Sequence, residues 1–188
     1  MEDSAMPCRD ARRLGRSLRS WRALRHIKQS HLAELLGVAQ ATVSRWEQGR
    51  QAPAEEEQAA IRELLAARLD SAADRALARM VEEASRPVHL LCDLTHRLLA
   101  LSLARERQCR LSRGELLGRS LWRYATDEIV AAEARLATLG WLEPAPPSLE
   151  IVTSANRSRE VAIVAGRCRW TRFQLSDGTF ARLVETLH

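Results

Sequence analysis

The chain has 188 residues, of which 46% are hydrophobic and 28% are charged. This composition is typical of a folded protein with one large domain or two small ones, and it excludes general disorder. No apolar run approaches the length of about 18 residues that a membrane span needs, and the first residues lack the apolar segment of a secretory signal. We therefore expect a cytoplasmic protein with no membrane partner.

Positive charge is concentrated in the first third of the chain. Residues 1–53 contain ten Lys+Arg and five Asp+Glu, a net charge of +5, whereas residues 54–188 contain nineteen of each. This split predicts a polyanion partner for the first third alone. Lys28 is the only lysine, and the planar guanidinium of arginine suits bidentate contacts with phosphate or guanine.

Three helices are predicted in this basic part of the chain, and a fourth follows directly after it. Residues 12–25 carry apolar side chains at spacings of three and four, with arginines on the outer face. A short second helix over residues 29–36 stops at Gly37, and a third covers residues 40–48. The fourth helix follows Pro53, where acidic residues occupy its first turn.

The helical spacing continues beyond the fourth helix to about Glu83, as one helix or a pair. We interpret residues 68–86 as a helical linker between two domains. The same apolar stripe could instead form a dimer seam, although a stripe rich in alanine is typical of ordinary packing.

The pattern changes after Pro87. Two short apolar runs around residues 95–97 predict a hairpin, and residues 103–140 are helical in pattern. Strand-like stretches follow, over LEIVTS, EVAIVAG with RCRWTRFQL, and TFARLVETL, and Asp177-Gly178 predicts a hairpin turn between the last two. This order favours an α+β fold with an antiparallel sheet and helices packed on one face. The expected core of the helical stretch is Leu116, Leu117, Leu121 and Trp122.

The second and third helices have the spacing of a helix-turn-helix unit. Ala33 is a small residue at the expected helix contact, and Gly37 lies at the bend. Val43 and Trp46 bury one face of the third helix, and Glu47 is expected to hold the helix end. The outward face then carries small, amide and guanidinium side chains, which can hydrogen-bond to base edges in the major groove: Gln40, Ala41, Ser44 and Arg45.

Residues 14–67 resemble the helix-turn-helix family of the phage repressor and Cro proteins, also called XRE-like. The matching residues are Gln29, Leu32, Ala33, Leu36, Gly37, Val38, Thr42, Val43, Ser44, Trp46, Glu47, Gly49 and Pro53. The resemblance implies that Gln29 contacts phosphate, that Gln40, Ala41 and Arg45 read bases with Ser44 close by, and that Arg50 lies near the DNA backbone. Further phosphate contacts are assigned to Thr42, Arg16, Arg19 and Arg22, although the three arginines could equally form a solvated helix face.

Residues 88–187 resemble a PAS-like fold through HLLCDLTHRLLALS and RGELLGRSLW. The resemblance implies a dimerisation domain, or a domain that takes a small-molecule or protein partner. No haem or flavin cofactor is predicted, because the flavin helix motif is missing and His89 and His96 fall on the first hairpin. The four cysteines, Cys8, Cys92, Cys109 and Cys168, are too widely spaced for a metal site and are expected to be separate reduced thiols.

No catalytic site is predicted. Asp93, His96 and Ser102 lie close in sequence, but no nucleophile elbow or glycine-rich phosphate loop accompanies them. We expect a transcriptional regulator that binds double-stranded DNA as a homodimer, with a DNA-binding domain at 10–67, the linker, and a PAS-like domain at 87–188. The alternative is an adaptor that is tethered to DNA and recruits another regulator or RNA polymerase through its second domain.

Overall fold

The computed structural model describes residues 6–187, and it describes side chains from residue 14 onward. The predicted thiol of Cys8 lies outside the described side chains. The chain divides into two compact units: the first ends at Ala66, and the second begins at Ala67 and holds the rest apart from the turn Asp177–Thr179. None of the described helices is long and apolar enough to cross a membrane.

Within the described residues, the regular structure of the first unit is entirely helical. It contains α1 (Met6–Leu24), α2 (Gln29–Leu36), α3 (Gln40–Glu47) and α4 (Glu55–Leu64). The predicted bounds of α2 are confirmed, and those of α3 differ by one residue. α1 starts earlier than residue 12, where the prediction placed it.

The core of the first unit comes from one face of each helix. Leu14, Leu18 and Trp21 of α1 are buried. Leu24 was assigned to the same apolar stripe, but it is 49% exposed. At about 100° per residue, Leu24 lies roughly 80° around the axis from Leu14, which places it at the edge of the stripe. Other buried side chains of this core include Leu32, Ala33, Val43, Trp46 and Ile61.

The second unit is built on a five-stranded antiparallel sheet. Its elements are α5 (Ala72–Glu82), β1 (Val88–Cys92), β2 (Leu98–Leu101), α6 (Leu103–Glu106), α7 (Arg113–Leu116), a 3-10 helix (Trp122–Tyr124), α8 (Asp127–Arg135), a 3-10 helix (Leu136–Leu139), β3 (Leu149–Thr153), β4 (Gly166–Gln174) and β5 (Phe180–Leu187). The strand order is β2-β1-β5-β4-β3. The predicted α+β class and the PAS-like order of two strands, short helices and a final group of strands are confirmed.

The two faces of the sheet are covered by different helices. Because side chains alternate along a strand, Val88 and Leu90 of β1 face one way and Leu91 faces the other. Val88 and Leu90 pack in one cluster with Val81 of α5. The segment from α6 to α8 covers the opposite face, as predicted. The other face of the sheet is covered by α5, which lies within the predicted linker at residues 68–86.

Residues 160–165 do not form a strand, which corrects the prediction for EVAIVAG. The side chain of Asn156 holds this segment as a loop: its Nδ2 donates to the carbonyls of Tyr124 at 2.9 Å and Val161 at 3.0 Å. Its Oδ1 accepts the N–H of Ile163 at 2.9 Å. A side-chain amide that bonds the backbone in this way competes with a strand ladder.

The predicted core of the helical stretch is right for Leu116, which is 1% exposed, and wrong for Leu117 and Trp122, which are 40% and 38% exposed. α7 ends at Leu116, so Leu117 lies beyond the helix on which it was expected to share the buried face. Trp122 stacks instead on the imidazole of His96, with ring centroids 4.7 Å apart. Leu121 is half-buried.

A buried ion cluster joins the strands to α8. Asp93 accepts hydrogen bonds from Arg182 Nη2 at 2.6 Å and from Arg172 Nε at 3.0 Å. The indole of Trp141 donates to the same carboxylate at 3.0 Å. Arg182 is 1% exposed and also donates to Glu133 at 2.7 Å. Burial opposes the charge of Arg182, but the two carboxylates outweigh it and raise the pKa of this arginine.

Candidate nucleic-acid interface

The turn between α2 and α3 is closed by a glycine in the left-handed conformation. Gly37 has φ +65°, and the next amide, Val38 N–H, donates to the carbonyl of Ala33 at 3.0 Å. An L residue with a side chain adopts such a φ only at a cost, so this end of the helix requires glycine. Ala33 itself is 4% exposed, which agrees with the predicted need for a small residue where the two helices meet.

α3 presents its polar face away from the core. Val43 and Trp46 are buried, whereas Gln40, Ala41 and Arg45 are exposed. The fourth predicted base-reading residue, Ser44, is half-buried, and its hydroxyl accepts a hydrogen bond from Gln48 Nε2 at 3.0 Å. Arg45 Nη2 donates to the hydroxyl of Thr42 at 3.2 Å. An exposed guanidinium and an exposed amide on one helix face can donate and accept hydrogen bonds at base edges.

Two glutamines connect the beginnings of α2 and α3. Gln40 Nε2 donates to Gln29 Oε1 at 2.8 Å, and Gln29 Nε2 donates to Glu47 Oε2 at 2.9 Å. The residue before α2, Lys28, provides no side-chain cap. The first amides of α2 are therefore left for an external acceptor such as a phosphate.

Glu47 anchors this arrangement from the buried side of α3. It is 5% exposed, and its carboxylate accepts from Arg22 Nε at 2.7 Å and from Arg22 Nη2 at 2.9 Å. Burial alone would raise the pKa of Glu47, but the hydrogen bonds from Arg22 and Gln29 and the charge of Arg22 outweigh it and lower the pKa. The same carboxylate raises the pKa of Arg22.

This ion pair changes the candidate role of Arg22. Its position on α1 predicts an exposed arginine like Arg16 and Arg19, but its guanidinium also donates to the carbonyl of Ile27 at 2.9 Å. Because the guanidinium of Arg22 is bonded to Glu47 and to a backbone carbonyl, it stabilises the buried side of the candidate interface. The remaining predicted phosphate-binding cations, Arg16, Arg19 and Arg50, are exposed, and Thr42 is half-buried.

Asp93, His96 and Ser102, which lie close in sequence, make separate structural contacts. Asp93 lies in the buried ion cluster, and His96 stacks on Trp122. Ser102 Oγ accepts the N–H of Arg105 at 3.1 Å, which caps α6, and it donates to the carbonyl of Arg86 at 2.8 Å. These contacts give each residue a structural role.

Comparison with known proteins bears on both units. Residues 18–70 match the family described as helix-turn-helix, and this segment contains α2, α3 and the turn between them. The first unit is therefore a helix-turn-helix domain of the XRE type, as the sequence resemblance predicted. No curated protein matches the chain.

Solved structures that are similar to the chain at low identity include the following three. A PAS domain of an HTR-like protein from Haloarcula marismortui is 16% identical, with a TM-score of 0.42 over 61% of this chain and 90% of that one. A PAS domain from Desulfitobacterium hafniense is 14% identical, with a TM-score of 0.41 over 58% and 99%. An RNA-binding light-oxygen-voltage receptor is 11% identical, with a TM-score of 0.43, and the match covers 98% of this chain and 60% of the receptor.

Proposed function

We propose that this chain, which joins a helix-turn-helix domain of the XRE type to a PAS-like domain, is a sequence-specific transcriptional regulator that binds double-stranded DNA as a homodimer. The observation that carries the proposal is the exposed polar face of α3, with Gln40 held by Gln29 at the open beginning of α2. It has the size of a major-groove reading helix, and the formal positive excess of the chain lies in the same third of the sequence.

Base reading is assigned to the exposed face of α3. In this proposal Arg45 donates to a guanine and the amide of Gln40 pairs with an adenine, while Ala41 offers only a methyl contact to thymine. Ser44 lies at the edge of the same face. Phosphate contacts are assigned to Gln29, Thr42, Arg50, Arg16 and Arg19, and Arg22 positions Gln29 through Glu47.

Homodimerisation follows from the small footprint of one unit. A single reading helix makes few contacts, so two copies on half-sites about one helical turn, roughly 34 Å, apart would supply the missing affinity. We assign DNA reading to residues 10–67 and regulation or dimerisation to residues 87–188, together with α5 from the predicted linker at 68–86, because α5 packs on the sheet. We propose the cytoplasm as its place of action.

The test selects DNA from a random pool with the full-length protein and measures the affinity of the selected site by fluorescence anisotropy. Arg45→Ala and Gln40→Ala should each weaken binding by about 5- to 150-fold, because a good bidentate base contact is worth about 1–3 kcal/mol. Arg79→Ala removes an exposed arginine from α5, outside the reading domain, and should bind as the wild type does.

The loss should also be selective. Arg45→Ala should relax the base preference at one position of each half-site, which a second selection with the variant would reveal. If both α3 variants bind the selected site as tightly as the wild type, base reading by this helix is excluded. DNA binding without sequence preference, together with capture of RNA polymerase or another regulator by the full chain, would favour the adaptor role.

A further inference from the structure

The second unit contains a partly open cavity of about 120 Å³ between the sheet and the segment that runs from α6 to α8. Its walls are mostly apolar, and they include Leu91, Leu121, Ile129, Val161, Ile163 and Trp170. A cavity of about 150 Å³ with apolar walls is large enough to hold benzene in another protein. The cavity in this unit is somewhat smaller but partly open, so it suits a small molecule with an apolar body of about six non-hydrogen atoms.

Arg105 gives this apolar cavity a positive charge. The residue lines the cavity and is only 8% exposed. Its Nη1 donates to Gln108 Oε1 at 2.9 Å and to the carbonyl of Ala162 at 2.8 Å, and both acceptors are neutral. Within the described part of the chain, no carboxylate forms an ion pair with Arg105, and burial lowers its pKa. A buried cation without an anion is costly, so an anion that enters the cavity would be stabilised there.

The other arginines of the cavity wall have their charges balanced. Arg182 is paired with Asp93 and Glu133 in the buried ion cluster. Arg167 has a side chain that is 59% exposed, and its Nη1 lies 3.7 Å from Glu150 Oε2. Arg105 thus differs from both in being buried without a carboxylate partner among the described residues.

His89 reinforces this polarity without adding charge. It lines the same cavity, and burial together with the positive charge of Arg105 lowers the pKa of His89 to about 3. The imidazole is therefore neutral at physiological pH and can donate or accept a hydrogen bond beside the guanidinium. Arg105 offers a cation with neutral polar neighbours, and most of the other residues that line the cavity are apolar.

We propose that this cavity binds a small monocarboxylate with an apolar body, about the size of benzoate, and that its carboxylate pairs with Arg105. A planar guanidinium can hold a carboxylate with two hydrogen bonds, which are stronger than bonds between neutral groups. The apolar walls exclude water and accept the hydrocarbon part of the ligand. The regulatory domain would then report on the concentration of an organic acid.

Isothermal titration calorimetry of the full-length protein tests the proposal with three probes. Benzoate should bind, and benzamide, which has nearly the same shape but no charge, should bind at least about tenfold more weakly. Acetate carries the charge without the apolar body, and it should also bind at least about tenfold more weakly than benzoate. Benzoate that fails to bind, or that binds no better than benzamide or acetate, would overturn the proposal.

Two variants test whether Arg105 is the partner of the ligand's carboxylate. Arg105→Gln should lose the preference for benzoate over benzamide, whereas the control Arg167→Gln, which removes an exposed arginine of the cavity wall, should keep it. If Arg105→Gln retains the full preference, Arg105 is not the partner of the carboxylate. If that variant does not fold, the comparison of the three probes on the wild type still decides the ligand class. The titrations contain no DNA, so their outcome is independent of the proposed DNA-reading function.

Discussion

Glu47 connects the core of the first unit to the side proposed to face DNA. A buried carboxylate is expected to be protonated or paired, and here Arg22 and Gln29 provide the pairing. Because Gln29 also bonds to Gln40, the carboxylate indirectly orients two of the proposed DNA contacts. The buried ion pair of Arg22 and Glu47 therefore restricts the orientations of Gln29 and Gln40 on the exposed side.

The pH dependence of stability should reveal this carboxylate. Its pKa is lowered in the folded state, so its stabilising effect is complete above the ordinary glutamate value of about 4.3 and is lost as the pH falls through the folded-state pKa. Glu47→Gln removes this effect and should lower the free energy of unfolding near pH 7 by about 1–3 kcal/mol. The difference between variant and wild type should shrink in urea unfolding curves measured below about pH 4.

Glu34→Gln is the matched control for this experiment. Glu34 is exposed on α2, with its carboxylate 3.6 Å from His31 Nδ1. This variant should change the free energy of unfolding by less than about 0.5 kcal/mol. A destabilisation by Glu47→Gln that is the same at pH 7 and pH 3.5 would rule out the ion pair as its cause.

At the scale of elements, the packing of α1 against α3 depends on Gly15. A Cβ atom at this position would lie 2.2 Å from the carbonyl oxygen of Trp46, which is a backbone atom and cannot rotate away. Alanine is otherwise favoured over glycine inside a helix by about 1 kcal/mol. The steric effect and helix propensity therefore predict opposite signs for the same substitution.

We expect the steric effect to dominate, so that Gly15→Ala lowers the free energy of unfolding by about 1–3 kcal/mol in chemical denaturation. Gly114→Ala is the matched control, because Gly114 lies in α7 with no atom within 4 Å of an added Cβ. The control should be neutral or stabilising by up to about 1 kcal/mol. If Gly15→Ala stabilises the protein to the same extent, α1 and α3 do not approach each other as closely as described.

The sheet of the second unit depends on a charged residue that is fully inside it. Arg182 lies on β5 and is bonded to Asp93, which follows β1, and to Glu133 of α8. Arg182→Met leaves both carboxylates without this partner in a buried site. We expect a loss of about 3–5 kcal/mol in the free energy of unfolding, measured by urea titration.

Arg169→Met is the control for this prediction. Arg169 lies on β4 and pairs with Glu150 at 2.9 Å on the surface, with both side chains more than 40% exposed. Surface pairs of this kind contribute about 0–1 kcal/mol. If Arg182→Met and Arg169→Met lower the free energy of unfolding equally, the buried ion cluster stabilises the sheet no more than a surface pair does.

At the scale of the whole molecule, the uneven charge predicts how DNA binding responds to salt. The formal excess of +5 lies in residues 1–53, while residues 54–188 are balanced. Each phosphate contact contributes a slope of about −0.9 to a plot of log affinity against log salt. Arg50→Ala should weaken binding to all sequences alike and reduce the magnitude of this slope by about 1, in anisotropy titrations at several salt concentrations.

Arg45→Ala should behave differently in the same titrations. Because Arg45 is proposed to contact a base, its loss should change which sequence is preferred. It should alter the salt slope less than Arg50→Ala does. Arg157→Ala, an exposed arginine of the second unit, should leave both affinity and slope unchanged. A slope that does not change in Arg50→Ala would remove Arg50 from the phosphate contacts.

Local patterns in the sequence were sufficient to predict much of the architecture. The bounds of α2, the bend at Gly37 and the first hairpin all depend on residues that are close together in the chain. Apolar spacing and turn-forming residues act within one element and its neighbours, so they can be recognised without knowledge of the fold. The exposed face of α3, which carries the proposed base contacts, follows from the same periodicity.

Only the tertiary structure decided which distant residues meet. Arg22 and Glu47 are 25 positions apart, and Asp93 and Arg182 are 89 positions apart, so no local pattern pairs them. The same holds for the contact of Gly15 with Trp46 and for the placement of Arg105 in an apolar cavity. Helix and strand periodicity predicts which face is buried, but the partner of a buried charge is chosen by packing between elements.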